Sequence, residues 1–297
     1  MVLIPLKVFI DDSITKLKHV RSGTTLIAKF IVFCLAILSQ TPGFLRSRFR
    51  FLDEKIAKLN RFLAKNAVVK VDGVYFRLLD EESFITVFPE FEKFMDNYLK
   101  VKEGEVFLDV GAHIGKYTLG VASITGKKGQ VISIEPYPET YQVLLENVRL
   151  NGFENIQAFR IAAWSQNCKK QLFLSKNAGG HSLTPDKKPD ERWPNQQPFI
   201  IIQAKPLDDV LEKIGMKVDW IKIDVEGAEI EVLQGLQKTL EHDKPNLIIE
   251  ARKTNLQKIE KIMEQNRYHV KQIPASDKDT YFYIYCTSEF LNKHFYR

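Results

Sequence analysis

Residues 106–115 read Val-Phe-Leu-Asp-Val-Gly-Ala-His-Ile-Gly, and this stretch decides the fold. An apolar run of strand length leads straight into Gly111 and Gly115, and a helical pattern follows from near Lys116. A glycine turn between a strand and a helix puts the helix N-terminus at the carboxyl end of the strand, where open α/β sheets bind ligands. The stretch therefore predicts the first strand and the ligand-binding turn of a Rossmann-like sheet.

Further apolar runs of strand length alternate with amphipathic segments of helical length after this turn. They cover residues 131–134, 156–161, 220–224 and 247–250. This alternation predicts βαβ units and a mostly parallel sheet in an α/β fold. Residues 268–273 and 280–285 predict a final antiparallel pair of strands.

A hairpin signal marks the start of the α/β domain. Residues 69–76 alternate apolar and polar side chains around Asp72-Gly73, the dipeptide that favours a tight two-residue turn. We therefore divide the chain into a basic, partly hydrophobic helical N-terminal extension, residues 1–66, and a domain of residues 67–297. Within that domain, residues 176–198 are polar and proline-rich, and they predict a long loop.

The second predicted strand ends in Glu135, which lies 24 residues after Gly111. An acidic side chain at this place accepts hydrogen bonds from ribose hydroxyls. A nicotinamide site would show the G-x-G-x-x-G pattern, whereas bulkier residues fill this turn and suit a ligand that has no pyrophosphate. We predict an adenosine-containing cofactor held by Asp109, Gly111, Ala112, His113, Gly115 and Glu135.

Charged residues also interrupt the strand predicted at residues 220–224. With a period of two, Lys222 and Asp224 face the same side, and Asp224 reaches the crevice beside the glycine turn if the two strands are neighbours. Glu226 is predicted to begin the next helix. The alternative to a functional site is that these residues form only a structural ion pair and a helix cap.

Three side chains are candidates for a general base: Asp224, Glu226 and His181. Asp224 is the first choice because the sheet fixes its position, whereas His181 lies on the long loop. Glu250, which ends the fifth predicted strand, is a further acidic side chain that could line the site of the substrate. The acids could also bind a divalent cation, but nothing in their spacing requires one, and we predict no metal site.

Taken together, the stretch at 106–115, Glu135-Pro136, Leu207-Asp208-Asp209 and the block at 221–229 resemble the FkbM family of methyltransferases in order and spacing. The resemblance implies a seven-stranded Rossmann-like sheet, S-adenosylmethionine as methyl donor, and O-methylation of hydroxyls, commonly on sugars or natural products. His113 departs from the asparagine that is more usual in the family. The first 65 residues lie outside the resemblance.

Two other functions compete with a methyltransferase. One is a membrane-tethered module that binds the cofactor without catalysis, which the basic, apolar N-terminus suggests. The other is a nicotinamide-dependent oxidoreductase, which the short motif at 106–115 does not match well. The expected partner of the methyltransferase is a small-molecule or glycan acceptor.

The net charge of +6 is concentrated near the N-terminus. Residues 1–70 hold 13 lysines and arginines against 4 acids, whereas the remaining residues hold 30 against 33. A near-neutral domain without a basic stripe gives no reason to expect a nucleic-acid partner. The basic arm instead predicts contact with an anionic membrane surface through residues 25–50.

The apolar run at residues 25–38 is shorter than the roughly 20 residues that a membrane span needs. A helix packed on the protein or lying in the membrane interface is therefore favoured, and a span is the alternative. The three cysteines are widely spaced, which suggests neither a disulfide framework nor a zinc site. We expect a cytoplasmic protein that associates with a membrane through this N-terminal segment.

Overall fold

The computed structural model describes residues 19–38, 50–175, 178–184, 198–273, 280–287 and 290. The chain divides into two compact units by its internal contacts. The first unit extends to Phe91 and includes Arg149–Asn151, and the second consists of Glu92–Val148 and the residues from Gly152 onward. The division predicted from the sequence, at residues 66 and 67, stays a prediction.

The first unit consists of helices and one hairpin in its described part. Its elements are α1 (Leu26–Leu38), α2 (Arg50–Lys65), β1 (Val68–Val71), β2 (Val74–Arg77) and α3 (Glu81–Thr86). The hairpin forms as predicted, because β1 and β2 pair antiparallel. Its turn residues Asp72 and Gly73 have φ angles of 48° and 87°, the left-handed pair that a type I′ turn requires.

The predicted apolar stretch at 25–38 forms α1. None of the described helices has both the length and the apolar character that crossing a membrane requires. Residues 39–49, which belong to the predicted membrane-contacting segment, lie outside the described residues.

The second unit contains ten strands and six α-helices among its described residues. The strands are β3 (Val106–Val110), β4 (Gln130–Ile134), β5 (Ile156–Phe159), β6 (Ala162–Ala163), β7 (Cys168–Phe173), β8 (Phe199–Lys205), β9 (Trp220–Ile223), β10 (Asn246–Arg252), β11 (His269–Ile273) and β12 (Thr280–Cys286). The helices are α4 (Lys116–Thr125), α5 (Pro138–Asn151, whose last three residues belong to the first unit), α6 (Asp208–Ile214), α7 (Glu229–Gln234), α8 (Gln237–His242) and α9 (Leu256–Gln265).

Seven of these strands form one sheet in the order β11-β12-β10-β9-β3-β4-β5. All neighbours are parallel except β12, which runs antiparallel to β10 and β11. The predicted Rossmann-like sheet with an antiparallel C-terminal strand is thus confirmed. The chain proceeds from β3 to β4 on one side and returns to β9 on the other, so the carboxyl ends of β3 and β9 form the switch point at which such sheets bind ligands.

The strands at this switch point are buried on both faces. Leu108 and Val110 of β3 pack in one apolar core, and Phe107 packs in the core on the opposite face of the sheet. This explains why four of the five residues of β3 are apolar, without the alternation of a half-exposed strand; Asp109 is the exception.

A smaller sheet was not predicted from the sequence. β8 pairs in parallel with β6 and antiparallel with β7. β6 has only two residues, and the run Cys-Lys-Lys-Gln-Leu-Phe of β7 has no regular alternation, so neither strand gives a clear sequence signal.

Candidate active site

The turn after β3 is attached to β4 through its backbone. The N–H groups of Gly111 and Ala112 both donate to the carbonyl oxygen of Ile134, each at 3.0 Å. Gly111 has a φ of 85°, and a Cβ at this residue would overlap the carbonyl oxygen of Asp224. Position 111 therefore requires glycine for two reasons, the left-handed backbone and the close approach of a neighbouring chain segment.

Gly115 ends the turn immediately before α4 and has a φ of 98°. A Cβ at this residue would lie 2.6 Å from Cδ1 of Leu144 on α5. In the structure this helix side chain fills the space beside Gly115. The glycine at 115 thus permits close packing inside the protein.

Glu135 is a buried carboxylate that binds the same turn. Its Oε2 accepts the N–H of His113 at 2.9 Å, and its Oε1 accepts the N–H of Tyr137 at 2.9 Å and the hydroxyl of Thr140 at 2.7 Å. A carboxylate has about four acceptor positions, so about one remains for a ligand. Burial raises the pKa of Glu135, and these hydrogen bonds act in the opposite direction.

Asp109 is buried beneath the turn and is only half satisfied. Its Oδ2 accepts the hydroxyl of Thr118 at 2.6 Å, and that hydroxyl lies 2.8 Å from the Ser133 hydroxyl. Its Oδ1 has no hydrogen-bond partner within the described part of the chain. Burial raises the pKa of Asp109, while the cation of Lys222 lowers it. The unsatisfied oxygen can accept a hydrogen bond from a donor on a ligand.

Lys222 is a buried cation on β9. Its side chain is 3% exposed, and its Nζ donates to Oδ2 of Asp224 at 3.0 Å. The same Nζ lies 4.9 Å from the centre of the Tyr117 ring. Burial lowers the pKa of Lys222, but the carboxylates of Asp224 and Asp109 outweigh this effect, and the net shift is upward. The strand period placed Lys222 and Asp224 on one side, and the structure joins them as an ion pair.

Glu226 lies in a turn and not at the start of a helix. It has a φ of 55° and Gly227 a φ of 105°, so the backbone is left-handed at both residues. α7 begins only at Glu229, and the prediction that Glu226 begins a helix is wrong because helical residues need negative φ. Burial and the Asp224 carboxylate raise the pKa of Glu226 to about 7, while Arg252, whose Nη2 lies 3.4 Å from Oε2 of Glu226, opposes them.

Glu229 stabilises this turn through hydrogen bonds, a role that the sequence did not predict. Its Oε1 accepts the N–H of Gly227 at 2.7 Å, and its Oε2 accepts Nδ2 of Asn255 at 2.6 Å. The same amide of Asn255 donates to the carbonyl oxygen of Gly227 at 3.0 Å. An acid in the first turn of a helix is common, so only the fold reveals that this one points inward.

His181 packs at the β4 side of the glycine turn. Its ring lies edge-to-face on Tyr137, with 4.2 Å between the ring centres. Its Nδ1 accepts the N–H of Ser175 at 2.9 Å. The neutral imidazole then carries its proton on Nε2, so neither nitrogen is available to accept a proton from a substrate. This geometry disfavours the predicted role of His181 as a general base.

Ser182 is the second important residue that sequence reasoning missed. Its buried hydroxyl donates to the carbonyl oxygen of Glu226 at 2.6 Å and accepts the N–H of Thr184 at 3.0 Å. Its backbone pairs with Phe173 of β7. Because His181 packs beyond β4 and Ser182 contacts the turn after β9, these adjacent residues reach across the carboxyl end of β3. A serine in a polar loop gives no signal for such a role.

Glu250 lies on β10, two residues before the strand ends. Burial and the Asp224 carboxylate raise the pKa of Glu250, while Lys222 lowers it. Within the ranges that the structure describes, no three histidine, cysteine or acidic side chains are grouped so that they could hold a metal ion. The acids at this edge of the sheet interact with Lys222 and Arg252 instead.

A family match covers most of this geometry. Residues 109–270, more than half of the chain, match the methyltransferase FkbM domain. The chain belongs to the FkbM methyltransferase family. The resemblance noted in the sequence is thereby confirmed, and the match includes both the glycine turn and the Asp224–Gly227 block.

Individual relatives are more distant. Methyltransferase sdnD of Sordaria araneosa is 28% identical over 170 residues, which are 48% of this chain and 65% of that protein. Methyltransferase 1 of Beauveria bassiana is 26% identical over 143 residues, 43% of this chain and 57% of that protein. The chain thus spans less than two thirds of the length of these two relatives.

Two further similarities complete the comparison. Hexuronic acid methyltransferase AglP of Haloferax volcanii is 25% identical over 191 residues, 63% of this chain and 70% of that protein. The crystal structure of methyltransferase FkbM from Methylobacillus flagellatus KT aligns with a TM-score of 0.48 at 19% identity, over 93% of this chain and 58% of that chain.

Replacing Gly111 by alanine should damage the site. The new Cβ would meet the Asp224 carbonyl, and alanine is strained at a φ of 85°. We expect the free energy of unfolding, measured with urea, to fall by at least about 2 kcal/mol. Gly120→Ala is the matched control, since nothing lies within 4 Å of a Cβ at that helical position. It should raise stability by about 0.5–1 kcal/mol, and equal effects of the two changes would contradict the argument.

Replacing Ser182 by alanine should loosen the Glu226 turn. We expect faster amide hydrogen exchange at Gly227 and a loss of about 1 kcal/mol in the free energy of unfolding, because the Glu226 carbonyl loses the shorter of its two hydroxyl donors and keeps only Thr184 at 3.4 Å. Ser123→Ala removes an exposed hydroxyl that donates to the Gly120 carbonyl at the same 2.6 Å. This control should change stability by less than about 0.5 kcal/mol. Unchanged exchange at Gly227 in Ser182→Ala would show that the serine does not hold the turn.

Proposed function

We propose that the chain is an S-adenosylmethionine-dependent methyltransferase that methylates a hydroxyl oxygen of a sugar, a glycan or another small molecule. The family supports methyl transfer, and the observation that carries the choice of oxygen chemistry is Glu226. Glu226 lies two residues after Asp224, whose carbonyl oxygen is in contact with Gly111, and partial burial with the Asp224 carboxylate raises the pKa of Glu226 to about 7.

The residues around the glycine turn suit this cofactor. S-adenosylmethionine supplies a methyl group on a positively charged sulfur, and it has ribose hydroxyls and an amino group but no pyrophosphate. Glu135 retains about one acceptor position for a ribose hydroxyl. Asp109 offers an unsatisfied carboxylate oxygen to a donor. The glycine that admits a pyrophosphate in the G-x-G-x-x-G pattern is absent here, because Ala112 and His113 follow Gly111.

Transfer of a methyl group to a hydroxyl requires a group that removes the hydroxyl proton and holds the oxygen in line with the methyl group. Asp224 was the first choice from the sequence, but its carboxylate is paired with the buried Lys222 at 3.0 Å, a shorter ion pair than the one at 3.4 Å between Glu226 and Arg252. Glu226 is a better general base, because a pKa near the working pH favours both proton uptake and proton release. Asp224 and Lys222 then hold the turn that carries Glu226 in place.

A sugar is the acceptor that we favour, and the name of one relative supports this choice. That relative is named as a hexuronic acid methyltransferase, and its similarity extends over 63% of this chain. Arg252 beside Glu226 gives this site a cation that could contact an acidic sugar. The comparisons favour neither the non-catalytic module nor the nicotinamide-dependent oxidoreductase.

Calorimetry with the cofactor separates these functions. We expect S-adenosylmethionine to bind and NAD not to bind. Glu135→Ala should weaken binding by about tenfold or more, since a charged hydrogen-bond acceptor is lost. Glu154→Ala, which changes an exposed glutamate, is the control. Labelled methyl transfer to a panel of neutral sugars and hexuronic acids then tests turnover. Binding without transfer to any member would favour the non-catalytic module, and binding of NAD alone would favour the oxidoreductase.

The transfer rate should depend on the ionisation of Glu226. Because a general base works in its deprotonated form, the rate should rise with pH and reach half of its maximum near the pKa of about 7. Glu226→Gln should abolish this dependence and lower the rate about 10²- to 10⁴-fold. Glu154→Gln should leave rate and pH profile unchanged. A Glu226→Gln enzyme that keeps the wild-type profile would exclude Glu226 as the base.

A further inference from the structure

The outer face of α1 is apolar and exposed. Leu26, Ile27, Phe30 and Phe33 are 84%, 73%, 65% and 41% exposed, and we call these four residues the α1 outer face. Leu26, Phe30 and Phe33 follow one another at helical spacing and form a single stripe. Single exposed apolar residues are ordinary on protein surfaces, but a group of this kind marks an interaction site.

The opposite face of α1 fixes the helix in this orientation. It is at most 6% exposed and consists of Ala28, Ile31, Val32, Leu35 and Ala36. The start of the helix is attached to the hairpin, because the N–H of Thr24 donates to the Val68 carbonyl at 3.2 Å. Thr25 Oγ1 accepts the N–H of Ala28 at 3.0 Å and caps the first turn. The α1 outer face therefore cannot turn inward without breaking the packing beneath it.

The neighbouring helix continues the pattern. α2 contacts α1 and exposes Leu59 by 46% and Phe62 by 66%. Residues 19–38 and 55–66 contain no aspartate or glutamate. Their lysines and arginines are all exposed: Arg21, Lys29, Lys55, Lys58, Arg61 and Lys65. Large apolar side chains among cations are characteristic of helices that lie in the interface of an anionic membrane.

We propose that the α1 outer face, with Leu59 and Phe62, docks on the surface of an anionic lipid bilayer. The helices lie along the surface, since the inner face of α1 is packed within its own unit. The cations face the headgroups, and the apolar side chains enter the boundary of the acyl chains. A second copy of the chain is a poorer occupant, because pairing the two faces would bring six cations against six others. The proposal does not depend on the proposed function.

Flotation of the full chain with lipid vesicles tests this surface. We expect binding to phosphatidylcholine vesicles that contain phosphatidylglycerol, weaker binding at high salt, and little binding to phosphatidylcholine alone. The combined change Leu26→Ser, Phe30→Ser and Phe33→Ser should reduce partitioning more than about tenfold. Lys58→Glu with Arg61→Glu should reduce it by at least about tenfold on anionic vesicles.

Ile124→Ser is the matched control, because Ile124 is an exposed apolar residue of the second unit, 53% accessible. It should float as the wild type does, and circular dichroism should show that all variants are folded. Absence of wild-type flotation would overturn the proposal, as would flotation that the triple serine variant retains. Light scattering adds one more outcome. A wild-type dimer that the serine changes dissociate, without vesicle binding, would assign the face to self-association and overturn membrane docking.

Discussion

The close approach of β3 and β9 at Gly111 is the constraint on which the rest of the site depends. The backbone at 111 lies against the carbonyl of Asp224, and the N–H of Asp224 donates to the Val110 carbonyl at 3.0 Å. The turn that carries the proposed cofactor residues and the turn that carries Glu226 therefore share one backbone contact. Any side chain at 111 would separate the two strand ends and alter both halves of the site together.

The buried charges follow from the same arrangement. Parallel strands that end side by side bring Asp109 and Asp224 to one edge of the sheet, where burial and the neighbouring Asp224 carboxylate raise the pKa of Asp109. Lys222 provides the opposite charge from within β9, and its carboxylate neighbours in turn keep the lysine protonated. A buried cation without these partners would be strongly unfavourable, so the lysine and the acids depend on one another.

The sequence predicts the main sheet well because apolar residues dominate its central strands, with four of the five residues in β3, and because the glycine turn has few alternative structures. It fails where the backbone departs from the preferences of the side chain. Glu226 is left-handed although nothing in the glutamate itself predicts this, so the helix was placed three residues too early. The short β6 and the irregular β7 are similarly invisible, because their pairing is decided by distant β8.

The choice between Asp224 and Glu226 as proposed base shows what sequence patterns leave open. Both are acids that follow β9, and their types and spacing do not reveal that Asp224 is paired with the buried Lys222 and Glu226 with the half-buried Arg252. The left-handed backbone of Glu226 costs about 1–2 kcal/mol relative to an ordinary conformation. Hydrogen bonds from Ser182 to its carbonyl and from Gly227 to Glu229 offset that cost. The position of the Glu226 carboxylate thus depends on hydrogen bonds that a distant loop and the next helix make to the backbone of its turn. The residue types at 224 and 226 do not predict these contacts.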